Sequence, residues 1–268
     1  MAQLGITLIG VGRMGTALAT GWLASRSKPQ ISFVDPAPSA LAQAIAEEEK
    51  IALNPTPTPV DIVVIAIKPQ VFHEAAADIR PWIGPDTLVI SIMAGIRLKQ
   101  LAEALDTENV LRAMPNTPGA IGRGVSVMAA PDTLSKARIK VATRLLKPLG
   151  LVEGPVPEAK ISTVTAVSGS GPAYVFLLVE ALASAGEAEG LSPDMAQMLA
   201  RETIIGAAAL LEDSQDGPED LRKAVTSKGG TTEAALDILM RGDGIPSLMR
   251  EAVRAAAARE RALTTTDR

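Results

Sequence analysis

Leu4-Gly5-Ile6-Thr7-Leu8-Ile9-Gly10-Val11-Gly12-Arg13-Met14-Gly15 is the stretch that decides the fold. An apolar run of strand length gives way to Gly-x-Gly-x-x-Gly, then to helix formers through about Ser25. In that context Gly10 permits a tight turn, Gly12 lets the backbone approach a pyrophosphate, and Gly15 allows a helix to lie close on a sheet. The alternative is a glycine-rich turn in an α/β protein that holds no nucleotide.

The same rhythm continues outward. Short apolar runs at Ile31–Val34, Asp61–Ile67, Thr87–Ser91, Val110–Ala113 and Gly124–Ala129 alternate with helical stretches at Ala37–Lys50, Leu98–Leu105 and Pro131–Leu146. Such alternation predicts a doubly wound parallel sheet with crossover helices, a Rossmann-like domain. Past the breaker cluster Gly154-Pro155-Val156-Pro157 no alternating strand is legible. Helical stretches follow at about Pro172–Gly186, Pro193–Leu211, Glu219–Val225, Thr231–Met240 and Ile245–Ala262. The expected domains are therefore 1–153, dinucleotide-binding, and 154–268, all-helical.

Composition narrows the chemistry. The 268 residues include no Cys and one His, His73, which excludes thiol nucleophiles, iron–sulfur ligation and His-rich metal clusters. No metal site is expected. Only 2% of residues are aromatic, so the core must be aliphatic and alanine-rich, which favours close helix–helix seams. A net charge of −4 with no basic block argues against nucleic acid as a partner. Met1-Ala2-Gln3-Leu4-Gly5 carries no basic leader, and cytoplasm is the expectation. Ile161–Val179 is uncharged, yet Ser162, Thr163, Thr165 and Ser168-Gly169-Ser170-Gly171-Pro172 are expected to break its apolar character, so no membrane association is expected. The second half lacks the pattern of a self-contained core and is expected to bury an apolar face against a second copy.

Four further places carry candidate chemistry. Asp35 ends the second apolar run about 20 residues past the glycine string, where an acid accepts ribose hydroxyls; its alternative is turn or cap chemistry. Residues 36–40 hold no Arg or Lys to receive a 2′-phosphate, so the residues lean toward NADH over NADPH. Lys68, after a buried run, either meets a cofactor or ends its strand in solvent. Met114-Pro115-Asn116-Thr117-Pro118 is a rigid polar loop suited to a nicotinamide, or else a structural turn. Thr226-Ser227-Lys228-Gly229-Gly230-Thr231-Thr232 offers consecutive amides and hydroxyls before a helix, an anion cradle or an ordinary capped linker.

These strings together resemble the pyrroline-5-carboxylate reductase family. The match also includes Ala66-Ile67-Lys68-Pro69-Gln70, Ser91-Ile92-Met93-Ala94-Gly95-Ile96, Ser168-Gly169-Ser170-Gly171-Pro172-Ala173-Tyr174 and Val225, in the family's order over nearly the whole chain. The resemblance implies reduction of 1-pyrroline-5-carboxylate to L-proline by NADH or NADPH, and a helical dimerisation domain, with some members decameric. It implies a cofactor site made by Gly10, Gly12, Arg13, Met14, Gly15, Asp35, Asn54, Ala66, Lys68, Pro69, Ala94, Met114 and Asn116. It places the substrate carboxylate at Val225, Ser227, Gly229, Gly230, Thr231 and Thr232, with the Thr232 hydroxyl toward the ring nitrogen. Two departures stand out. Asp35-Pro36-Ala37 occupies a position that often reads Asn-Arg-Ser in relatives, and Lys228 stands where many members have Pro.

Two other classes compete. Hydroxy-acid dehydrogenases share this architecture but need a proton for the developing alkoxide, commonly from Lys or His. Ile161–Ala200 contains no Lys, Arg or His. A dinucleotide-sensing protein without turnover is the non-enzymatic alternative.

Overall fold

The computed structural model describes residues 4–26 and 28–266, with no side chains described beyond Leu263. Residues 1–3, part of the leader reading, lie outside the described residues. The chain divides into two compact units, residues 1–170 with 256–268, and residues 171–255.

The first unit is built on one eight-stranded sheet: β1 (Gly5–Ile9), β2 (Gln30–Val34), β3 (Ala52–Leu53), β4 (Val60–Ile65), β5 (Ile83–Ser91), β6 (Val110–Met114), β7 (Gly124–Ala129) and β8 (Gly150–Glu153). The strand order is β3-β2-β1-β4-β5-β6-β7-β8. β3 through β6 form a parallel Rossmann-like array, reversing direction of growth between β1 and β4. Side-chain alternation gives it two cores. Ile62, Val64, Leu88 and Ile90 face one helical layer, α1 (Arg13–Leu23), α2 (Ala40–Glu48) and α5 (Lys136–Leu146). Val63, Ile65 and Val89 face the other, α3 (Phe72–Ile79) and α4 (Leu98–Leu105).

The sheet departs from the all-parallel expectation at its far end. β7 runs antiparallel to β6, and β8 follows β7. Residues 115–123 between β6 and β7 are too few for a crossover helix, so the chain turns back in a short 3-10 stretch. β3 and β8 were not predicted: one has two residues, and the other is a four-residue edge strand ending at the Gly154 breaker. α2 and α5 start later than their propensity suggests because Ser39 and Ser135 cap them, accepting from Ala42 N–H and Arg138 N–H.

After β8 the chain enters α6 (Ile161–Val164), a π turn over Thr165–Gly169, and α7 (Gly171–Ala188). The Ser/Thr cluster does not interrupt this run, which corrects the expectation of broken apolar character. Thr165 Oγ1 donates to Ile161 O at 2.9 Å and Ser168 Oγ to Val164 O at 3.0 Å, so the hydroxyls are satisfied inside the helix. By length and composition Glu158–Ala188, with mean hydropathy 1.4, is the one described helix long and apolar enough to cross a membrane.

The second unit comprises α7, α8 (Pro193–Asp213), α9 (Pro218–Ala224), α10 (Thr231–Leu239) and the first part of α11 (Ile245–Thr266). α7 and α8 meet through an alanine seam: Ala183, Ala196 and Ala200 are its buried apolar residues, and a side chain on Gly186 would crowd Leu191 and Ala196. Their larger side chains face away from that seam. Phe176, Leu177 and Leu210 are each more than 60% exposed. Leaving so much apolar surface in water is unfavourable, so a cover is required.

Two outcomes follow. Light scattering should give a multiple of 27.8 kDa at micromolar concentration, whereas a stable, active monomer contradicts the need for a cover. A methyl group at Gly15 would collide with Gly10 O, so Gly15→Ala should cost about 1–3 kcal/mol in denaturant unfolding.

Candidate functional site

The carboxyl ends of β1, β2, β4, β5 and β6 bring most of the sequence-predicted residues to one sheet edge. At the β1–α1 turn Gly10 has φ +91°, and a Cβ there would lie 2.7 Å from Ala66 O. Only glycine satisfies both constraints. Gly12 differs: it caps α1 in extended conformation, and a Cβ there would meet nothing within 4 Å. No side chain caps this helix, so its first N–H groups stay directed at that open space, which suits an anion. Gly15 is closed off by Gly10 O, so helix and turn are in contact. These three positions fit a dinucleotide pyrophosphate by shape and by polarity. Arg13 and Gly12 border a cleft of about 520 Å³ along α1 with Thr16 and Ser39.

Asp35 lies at the end of β2 with its carboxylate shared between two loops. Val11 N–H donates to Oδ2 and Ala37 N–H to Oδ1, each at 2.9 Å. It therefore ties the glycine turn to the β2 end, and its remaining lone pairs stay available as acceptors. Asn54, at φ +50°, locks the same corner from behind: its Oδ1 accepts from Asp35 N–H and its Nδ2 donates to Asp35 O, both at 2.9 Å. Asn54 is thus engaged with the backbone that presents Asp35.

On the other side of β1, Ala66 N–H donates to Ile9 O at 2.7 Å, fixing Ala66 against the glycine turn. Lys68 is exposed at the head of the 3-10 turn Pro69–Val71. A second cleft, about 820 Å³, opens beside Pro69, Gln70, His73, Ala94, Gly95, Thr165 and Ser170. Ala256, Arg259, Glu260 and Leu263 of the last helix complete its lining. Asn116 braces the next loop: Nδ2 donates to Ser168 O at 3.1 Å and Oδ1 accepts from Val125 N–H at 2.9 Å. Gly169 lies against the Met114 methyl, where a side chain would intrude. The Met114–Asn116 loop and the Ser168–Gly169 string, distant in sequence, are therefore neighbours.

The substrate-side candidates belong to the second unit. Val225 is exposed, Gly229 has φ +73°, and Gly230 N–H donates to Ser227 O at 3.0 Å, which curls the loop into the start of α10. Gly230 cannot cap with a side chain, so the first amides of α10, at Thr231 and Thr232, lack a capping partner. Glu233 Oε2 accepts from Gly229 N–H at 2.7 Å, so that amide is already engaged. Thr232 is half-buried at the helix start. Two features escaped the sequence patterns: the π turn at Thr165–Gly169, and a buried cation, Arg112, with Glu158 and Glu260 against it. A charged residue inside the otherwise apolar run Val110–Met114 was the available signal for the latter.

Known proteins match both parts of the chain. The family described as pyrroline-5-carboxylate reductase dimerisation matches residues 158–263, and the family described as NADP oxidoreductase, coenzyme F420-dependent, matches residues 5–95. The chain is 37% identical over 260 residues to pyrroline-5-carboxylate reductase from Pseudomonas aeruginosa, covering 95% of this chain and 94% of the relative. It is 35% identical to the Pisum sativum enzyme, covering 96% and 94%. Among solved structures, a pyrroline-5-carboxylate reductase from Coxiella burnetii superposes with a TM-score of 0.89 at 30% identity, over 99% of this chain and 100% of that one. The Plasmodium falciparum pyrroline carboxylate reductase with NADP bound gives a TM-score of 0.81 at 26% identity, with the same coverage. With both parts of the chain matched and the curated relatives aligned nearly end to end, the chain belongs to the pyrroline-5-carboxylate reductase family.

Proposed function

We propose that this chain is an NAD(P)H-dependent oxidoreductase that reduces 1-pyrroline-5-carboxylate to L-proline, the final step of proline biosynthesis. The observation that carries the reading is the collection of the glycine turn, Asp35, Ala66–Pro69, Ala94 and Met114–Asn116 on one sheet edge of a chain with this ancestry. In this reading residues 1–153 bind the dinucleotide, and 154–268 dimerise and bind substrate in the cytoplasm. The exposed apolar face of α7 and α8 is covered by a second copy rather than by lipid, in a dimer that either stands alone or is one of five in a decamer.

Each group has a task. When bound, a reduced nicotinamide would supply the hydride from its C4–H bond and leave oxidised; the imine carbon gains that C–H bond, the C=N π pair passes to nitrogen, and the N–H proton comes from the medium. Gly10, Gly12, Arg13, Met14 and Gly15 hold the pyrophosphate, and Asp35 and Asn54 form the adenosine corner. Ala66, Lys68, Pro69, Ala94, Met114 and Asn116 bound the groove toward the nicotinamide. Val225, Ser227, Gly230 and Thr231 hold the substrate carboxylate, while Gly229, its N–H taken by Glu233, keeps the loop curled. Thr232 directs its hydroxyl to the ring nitrogen; it orients rather than protonates, because a threonine hydroxyl does not ionise usefully near neutral pH. A protonated cyclic imine is already a good hydride acceptor, so positioning supplies most of what is required. The absence of Lys, Arg and His from Ile161–Ala200 disfavours the hydroxy-acid dehydrogenases.

NADH is the favoured cofactor. A 2′-phosphate would meet the Asp35 carboxylate, which Val11 and Ala37 hold in place, and residues 36–40 offer no cation. Arg13, on the glycine-turn helix, blunts the discrimination without removing it.

Purified protein with pyrroline-5-carboxylate and NADH should lose absorbance at 340 nm and form proline; no proline with either reduced cofactor would overturn the reading. Thr232→Ala should lower kcat/KM for the imine by the equivalent of about 1–3 kcal/mol while leaving the dinucleotide Kd nearly unchanged. The ratio of kcat/KM for NADH over NADPH should exceed one in the wild type and fall in Asp35→Ser. Absolute rates with both cofactors should fall as well, since the variant removes the carboxylate shared by the Val11 and Ala37 amides. An NADPH preference untouched by Asp35→Ser would show that the carboxylate braces the turn and selects nothing.

A further inference from the structure

Arg112 is the third residue of β6, among Val110, Leu111, Ala113 and Met114, and its side chain is 3% exposed. Two carboxylates face it: Glu158 Oε1 lies 3.2 Å from Nη1 and Glu260 Oε1 lies 3.7 Å from Nη2. Among the described residues Nε and Nη2 complete no hydrogen bond. A desolvated cluster with incomplete hydrogen bonding is a poor source of stability compared with apolar side chains of similar volume. Its value lies in what it holds in register.

Each carboxylate reaches one wall of the cleft beside Ala94 and Gly95. Glu158 Oε1 also accepts Leu98 N–H at 2.7 Å, which anchors the chain leaving the Gly95 turn, where φ is +77°. Glu260 accepts the Ser162 hydroxyl and lies in the last helix beside Arg259, on the wall that also holds Thr165 and Ser170. The two walls therefore meet at a single buried cation. Arg112 does not itself line the cleft. We infer that Arg112, with Glu158 and Glu260, is a positioning cluster that sets the separation of the Gly95 turn from the Ser170–Arg259 wall and so the fit of the nicotinamide end of the dinucleotide. The inference rests on the dinucleotide-binding part of the functional reading.

The test is a fluorescence titration of the assembled protein with NADH, which needs no imine substrate. Arg112→Met/Glu260→Leu exchanges the ion pair for apolar groups and should keep the assembly and thermal midpoint near wild type. Its Kd for NADH should rise about tenfold or more, because a small error in the supporting groups is felt at the ligand. Arg112→Lys, which keeps the charge, should stay within about threefold of wild type by the same reasoning. An unchanged Kd in the double variant, or an equal rise in the remote core variant Leu145→Ala, overturns the inference. Should the double variant not assemble, Ser162→Ala replaces it; a raised Kd at an unchanged midpoint supports the inference and an unchanged Kd overturns it. Wild-type protein that binds no dinucleotide overturns the functional reading and this inference together, whereas wild-type binding with unaffected variants overturns this inference alone.

Discussion

The contact between Gly10 and the Ala66 carbonyl is the constraint on which the site depends. It forms where β1 and β4 lie side by side and their following helices leave on opposite faces of the sheet. No side chain fits at Gly10, so the turn presses against the end of β4. No side chain fits at Gly15 either, so α1 presses against the turn. With both closures made, Gly12 and the free amides of α1 are left facing open space. A corner suited to an anion thus follows from packing, and the loops after β4, β5 and β6 lie along the same edge.

Asp35 and Asn54 stiffen that corner through backbone contacts. Asn54 clasps the amide and carbonyl of Asp35 while the Asp35 carboxylate takes N–H groups from Val11 and Ala37. The Asp35 carboxylate is thus a brace first: changing it alters how firmly the glycine turn is held. The helical segments show a related economy. α7 and α8 pack their small residues on each other and leave their large apolar ones exposed in the single chain. Whatever covers that face adds to the stability of this part.

The sheet was legible where burial is symmetric. Asp61–Ile67 reads as a strand because Ile62 through Ile65 are enclosed on both faces, and Leu98–Leu105 reads as a helix because Leu101 and Leu105 share its one buried stripe. The glycine turn was legible because Gly10 and Gly15 each answer a steric demand, while Gly12 leaves the start of α1 open. What escaped has tertiary causes. β3 and β8 exist only through their neighbours in the sheet, and the reversal of β7 comes from a connection too short for a crossover. Arg112, Glu158 and Glu260 are far apart in sequence and acquire meaning only when the fold brings them together.

The central claim is that one sheet edge, organised by the Gly10–Ala66 closure, holds the dinucleotide. A crystal structure of the assembled protein grown with NADH and proline tests it most directly. The account predicts density for the pyrophosphate against the amides of Gly12, Arg13 and Met14, and for the nicotinamide beside Ala94 and Met114. Density for the dinucleotide at any other part of the sheet, with the Gly12 amides bound to nothing, would contradict it.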